Sequence, residues 1–126
     1  MRAPGLTFDT GALIALERRR QRMGHVYAEA RDNGVVVTVP AAVIAEWWRG
    51  PSDAREVILR GVRVEAMDRG LAELAGEALA AVDGATTSDA IVMASAARRG
   101  DVVYTSDFSD LSRLRAFFPT VRVLGV

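Results

Sequence analysis

The stretch Val102-Val103-Tyr104-Thr105-Ser106-Asp107 decides the reading of this chain. Its β-branched and aromatic residues form a strand, and an acid stands just beyond the end of it. The same arrangement opens the chain, where Leu6-Thr7-Phe8 leads into Asp9. Between these two points strand and helix signals alternate. Leu13, Leu16, Met23, Tyr27 and Ala30 make one apolar stripe, which predicts a single helix over residues 10–32 ended by Asn33-Gly34. Residues 35–39 are an unbroken β-branched run, the pattern of a buried strand. Pro40 suits the first position of a second helix running to Arg49, and Ser52 caps a third. A short strand at 62–64 precedes a helix from Asp68 to about Val82. Thr86-Thr87-Ser88 offers a cap for a helix from Asp89 to Arg99, which Gly100 ends. After the 102–105 strand, residues 107–118 read as helix and 121–124 as a last strand.

Such alternation predicts an α/β sandwich with a mainly parallel central sheet, folded as one domain over residues 1–126. In sheets of this kind functional groups collect beyond the C-terminal strand ends. Asp9 and Asp107 therefore fall on one rim if their strands are parallel. Asp89 starts a helix face that continues through Val92, Met93 and Ala96. Glu46 lies inside the apolar stretch 41–48, where an unpaired charge is unusual. Asp110 follows Asp107 by one helical turn. Any one of these acids has a sufficient explanation as a helix cap or a dipole partner. Gathered together they would repel one another and resist desolvation, unless a divalent cation neutralised them.

Composition narrows the choice of ion. The chain has no Cys and one His, His25, which excludes thiolate and multi-histidine metal sites. Oxygen donors alone point to Mg²⁺ or Mn²⁺. The 16 basic residues, all Arg, balance 16 acids. An acidic pocket therefore leaves an excess of Arg over acid elsewhere, and guanidinium groups suit phosphate. No apolar run approaches the length of a membrane span, and Met1-Arg2-Ala3-Pro4-Gly5 leads into too short an apolar stretch for a signal peptide; the expected location is cytoplasmic.

Four pieces in order carry a resemblance: residues 8–16, beginning Phe8-Asp9-Thr10-Gly11; Ala45-Glu46-Trp47-Trp48-Arg49-Gly50; Ser88-Asp89-Ala90-Ile91-Val92; and residues 103–111, centred on Thr105-Ser106-Asp107. Together they resemble the PIN domain, and within it the VapC-type toxins of type II (VapBC) toxin–antitoxin systems. The resemblance covers essentially the whole chain and implies a three-layer α/β/α PIN-like sandwich. It implies a Mg²⁺- or Mn²⁺-dependent endoribonuclease that hydrolyses RNA phosphodiester bonds. By position, Asp9, Glu46, Asp89 and Asp107 correspond to the family's catalytic acids. Asp9, Asp89 and Asp107 would hold the metal, with Glu46 and Asp110 accessory. Thr105 or Ser106 corresponds to the polar residue that accompanies the fourth acid. Many relatives carry Ser where this chain has Gly11, with Thr10 as a partial substitute for the hydroxyl. The resemblance also implies a homodimer and a small antitoxin partner, and leaves the RNA target open.

Other features fit that frame less tightly. Arg18, Arg19 and Arg49 are candidate RNA contacts, although Arg18-Arg19-Arg20 and Arg22 also read as a solvated helix face pairing with Glu17. Adjacent helix positions diverge, so one of Trp47 and Trp48 enters the core while the other faces elsewhere, where it could meet a partner. His25 reads as a surface residue. A haloacid-dehalogenase-like phosphatase needs an acid at position 11 and a Lys, and a receiver domain also needs a Lys; this chain supplies neither. Asp9-Thr10-Gly11-Ala12 lacks the glycines of a Rossmann turn or a phosphate-binding loop. The remaining alternative is a PIN-fold protein that binds RNA or a partner with little catalysis.

Overall fold

The computed structural model describes residues 3–126; Met1 and Arg2, where the reading for a signal peptide begins, lie outside them. Five strands form one sheet: β1 (Leu6–Phe8), β2 (Val37–Pro40), β3 (Arg63–Glu65), β4 (Val102–Thr105) and β5 (Arg122–Gly125). Their order is β3-β2-β1-β4-β5, and every pairing is parallel. The helices are α1 (Thr10–Glu17), α2 (Gln21–Asp32), α3 (Ala41–Trp47), α4 (Asp53–Gly61), α5 (Arg69–Ala81), α6 (Thr87–Arg99) and α7 (Phe108–Leu114).

The chain leaves β1 toward β2 and β3, then crosses back to β4 and β5 on the other side of β1. Right-handed crossovers put α1 to α4 on one face and α5 to α7 on the other. The contacts agree, since α1 packs with α2, α3 and α4 while α6 packs with α5 and α7. The result is the expected three-layer sandwich. Phe8, Leu13, Val39, Val43, Leu71, Met93, Leu111 and Leu114 are fully buried between the layers. None of the described helices is long and apolar enough to cross a membrane.

The predicted helix over 10–32 is two helices. α1 ends in a Schellman arrangement: the Arg20 N–H bonds the Ala15 carbonyl at 2.9 Å and the Arg19 N–H bonds Leu16 at 3.1 Å. Arg19 takes the left-handed conformation this needs, with φ at 56°. Gly34 fills the same role after α2, where the φ of 67° carries no steric penalty. An Arg at that position gives no compositional sign of a stop, so the apolar stripe runs on across the break. Of that stripe, Leu13, Met23 and Ala30 are buried and Leu16 and Tyr27 partly so. Elsewhere the corrections are at boundaries. Pro40 closes β2 as the residue before α3, α6 begins at Thr87 behind the Thr86 cap, and α7 stops at Leu114 instead of reaching Phe118.

Beneath the sheet lies a polar cluster that no sequence pattern marks. The Arg99 guanidinium, at the end of α6, donates to Asp101, Thr7 and Ser95, each at 2.9 Å, and to Glu65. Thr7 in turn donates to Asp101 at 2.9 Å. This ties β1, β3, α6 and the start of β4 together. Trp47 is buried, and its indole N–H donates to Glu17 at 2.8 Å. Glu17 also pairs with Arg55 at 3.1 Å, so it joins α1, α3 and α4 rather than serving the arginines at 18–22. Trp48 is partly exposed and stands edge-on to Trp47, while His25 is exposed.

Candidate metal centre

β1 and β4 lie side by side with Phe8 level with Tyr104, which brings Asp9 level with Thr105. The chain reverses its direction of travel across the sheet at this pair, so a crevice opens beyond their C-terminal ends. A cavity of about 260 Å³ occupies that crevice, and Asp9, Glu46, Asp89, Asp107 and Asp110 all line it. Thr10, Gly11, Thr86 and Ser88 complete the wall.

Asp9 is buried and fixed on both oxygens. Oδ1 caps α1 by accepting the Ala12 N–H at 2.8 Å, and Oδ2 accepts the Thr105 hydroxyl. The same Thr105 oxygen accepts the Asp107 N–H at 2.8 Å. One buried hydroxyl therefore sets the side chain of one acid and the backbone of another. Burial pushes the Asp9 carboxyl above its usual range, the Asp107 charge adds to the push, and the Thr105 and Ala12 hydrogen bonds oppose it. Asp89 sits in the first turn of α6, also buried. Burial, with the charges on Asp107, Asp9 and Asp110, lifts its pKa to about 6 against the pull of Thr86. Asp107 precedes α7 but makes no side-chain cap bond, so capping does not account for its carboxylate.

Asp89, Asp107 and Asp110 each offer an oxygen within 4.8 Å of the others'. Asp9 lines the same cavity but is not in that trio. Asp110 is exposed and also meets Arg113 at 3.2 Å, a surface pair of small energetic weight. Glu46 differs from its reading as an unpaired buried charge. It is exposed on the cavity wall, and its Oε1 accepts hydroxyl hydrogens from Thr10 at 2.8 Å and Ser88 at 2.6 Å. Its apolar neighbours in sequence, Val43 and Trp47, turn into the core, one helical turn and one position away. Thr86 caps α6, and Ser88, a cap candidate in the sequence, instead serves Glu46. A hydroxyl beside the first-turn acid of α6 was the available signal.

The arginine candidates separate. Arg49 folds back onto the carbonyls of Ala45 and Trp48 and does not line the cavity. Arg18 and Arg19 lie at the α1–α2 break, exposed.

Gly11 has a close neighbour. A Cβ added there would collide with the hydroxyl and Cβ of Ser106. The side-chain volume missing at position 11 is thus taken by a hydroxyl from position 106. Gly11→Ala alone is expected to displace Ser106 and cost about 1–3 kcal/mol. Adding Ser106→Gly should recover most of that loss, read as non-additivity in urea unfolding. Additive losses would show that the two positions do not share the space.

A central parallel sheet with an acid-lined crevice at its switch point defines the class: an α/β protein whose site suits a hard cation. The chain belongs to the PIN domain family, which it matches over residues 6–116. Its fold is similar to solved structures of VapBC2 from Rickettsia felis bound to a DNA fragment from their promoter (TM-score 0.76, 10% identity, 96% of this chain and 98% of that one) and of DNA-bound VapBC from Salmonella typhimurium (0.74, 14%, 98% and 98%). It is also similar to Mycobacterium tuberculosis VapC20, described as a sarcin–ricin loop cleaving toxin (0.62, 24%, 83% and 93%). Among curated proteins, none matches it in sequence.

Proposed function

We propose that this chain is a Mg²⁺- or Mn²⁺-dependent endoribonuclease and the toxin of a toxin–antitoxin pair, working as a homodimer in the cytoplasm and neutralised by a small antitoxin. The observation that carries the reading is the convergence of Asp9, Glu46, Asp89, Asp107 and Asp110 on one cavity at the sheet's switch point. Family membership and the likeness to VapC20, described as a sarcin–ricin loop cleaving toxin, support the choice of RNA as substrate.

The donor set fits a hard divalent ion. All the side chains are carboxylates, and Asp89, with a pKa near 6, carries a charge that its surroundings leave uncompensated. Asp89, Asp107 and Asp110 would hold the ion, with Asp9 beside them. When bound, such an ion supplies Lewis acidity toward a phosphodiester oxygen and toward water. The protein's own groups supply position. Thr105 keeps Asp9 from turning and registers the Asp107 backbone against it. Thr10 and Ser88 occupy one oxygen of Glu46 and leave the other to accept a proton or a water hydrogen bond at the cleft wall. Below about pH 6 protons compete with the ion for Asp89, so at subsaturating metal activity should rise through that region and persist at pH 7 to 8.

The experiment is cleavage of a mixed RNA pool by purified, antitoxin-free protein, with Mg²⁺ or Mn²⁺ against EDTA. Discrete fragments that vanish in EDTA are expected, and their ends identify the target. Folded protein that binds the pool without cutting it under either metal would replace the nuclease reading with the binding-only one.

A further inference from the structure

A second cavity, of about 540 Å³, adjoins the acid cavity at Gly11, which lines both. Ser106 forms part of its wall. Its inner lining is apolar, from Ile14, Ala15 and the fully buried Met23. At its mouth stand the exposed side chains of Arg18, Arg20 and Arg22. The helix break creates this arrangement. Arg18 ends α1, Arg20 precedes α2, and the left-handed Arg19 between them turns the chain, so arginines from both helices line the same space. Arg22 is anchored, its Nε–H donating to the Gly125 carbonyl at 3.0 Å. Arg18 and Arg20 have no side-chain hydrogen bond or ion pair among the described residues.

From this we infer that the cavity is a nucleotide subsite: it takes the base and phosphate of an RNA residue that neighbours the bond held over the acids. The inference rests on the nuclease reading and adds a place and a chemistry to it. Three guanidinium groups line the cavity with no acidic side chain among them, although Val126 also stands there, and phosphate suits their planar donors. The apolar lining suits the face of a base, and the volume lies in the range of small-molecule pockets. Continuity with the acid cavity selects the occupant. A chain filling both must present negative charge at the arginines and still approach five carboxylates. A phosphodiester chain does so when a divalent cation stands between it and the acids. An acidic peptide could supply carboxylate oxygens to that bridge, but its charged side chains carry no flat apolar face for the lining of Ile14, Ala15 and Met23.

The test measures binding at a fixed level of Ca²⁺, a hard oxygen-seeking ion that can stand between RNA and the carboxylates, with the probe's integrity checked on a gel. A fluorescently labelled single-stranded RNA of mixed sequence is titrated with the full chain over a range of salt. Arg18→Gln with Arg20→Gln should weaken binding about tenfold at low salt and make the log–log salt slope shallower by about 1.4, as expected for two lost phosphate contacts on a single strand. Ala15→Leu fills the apolar lining without altering charge; it should weaken binding several-fold with the slope unchanged. Arg60→Gln, on α4, serves as the control, and thermal melts verify that each variant is folded. Wild-type binding that the arginine pair leaves unaltered in affinity and slope overturns the subsite and spares the nuclease reading. A lost slope with no effect of Ala15→Leu overturns the base pocket in favour of a plain electrostatic path. Unchanged RNA binding with loss of a poly-glutamate probe assigns the face to an acidic protein partner. Wild-type protein that neither binds RNA nor cleaves it overturns both readings together.

Discussion

Asp89→Asn is expected to lower metal-dependent RNA cleavage by at least about a hundredfold, and Asp9→Asn by a similar factor, since each removes a carboxylate from the wall where the ion and substrate would meet. The two variants should leave the fold intact for different reasons. At position 9 an Asn carbonyl still accepts the Ala12 N–H, and only the acceptor for Thr105 is lost. At position 89 a neutral side chain removes a cost. With the folded-state pKa near 6 and the unfolded value at 3.8, the folded chain binds more protons between those limits. Stability from this group therefore falls as pH rises from about 4 to about 6, and the deficit stays constant above it. Allowing for solvent at the cleft mouth, the deficit is about 2 kcal/mol. Asp89→Asn should thus melt higher than wild type at pH 7 in EDTA, yet gain little from added Mg²⁺ or Mn²⁺. Cleavage persisting in both variants, or a lower melt for Asp89→Asn in EDTA, would sink the assignment of this site.

The largest loss of stability is expected from Arg99→Ala. Removing the guanidinium leaves buried Asp101 with only the Thr7 hydroxyl and Glu65 with only the longer Arg98 contact at 3.8 Å, and it also removes a donor from Thr7 and Ser95. The cost should be about 3 kcal/mol, which moves the urea midpoint down by roughly 1.5 M at an ordinary denaturant slope. Arg99→Lys keeps the charge but cannot span four partners, so it should fall between. No member of the cluster lines the acid cavity, so RNA cleavage per folded molecule should be unchanged. A midpoint within experimental error of wild type would show that Glu65 and Asp101 find other partners.

The legible parts of this molecule were those where local and global signals coincide. The strand runs at 6–8 and 102–105 each end against an acid, and parallel pairing of two such strands puts Asp9 and Asp107 on one rim. The stop after Glu17 was hidden because its left-handed residue is Arg19, where backbone geometry rather than composition makes the turn. The exposure of Glu46 is not legible in its apolar stretch because neighbours in sequence are not neighbours on a helix face: Val43 and Trp47 face the core and Glu46 does not. The Arg99 cluster was invisible since Thr7, Glu65, Ser95 and Asp101 share no spacing and meet only through sheet order. Ser106 filling the place of a side chain at Gly11 was hidden for the same reason.

The position of β1 has a consequence for synthesis. It is the middle strand of the sheet, and one of its two neighbours, β4, emerges from the ribosome long after it. Asp9 meets its Thr105 partner across 96 residues of chain. Contacts of that separation form late, because the loop must be closed before they give any return. A nascent chain with β1, β2 and β3 already made therefore has half a crevice and an incomplete set of acids. The acid-lined crevice is therefore assembled only when β4 docks beside β1.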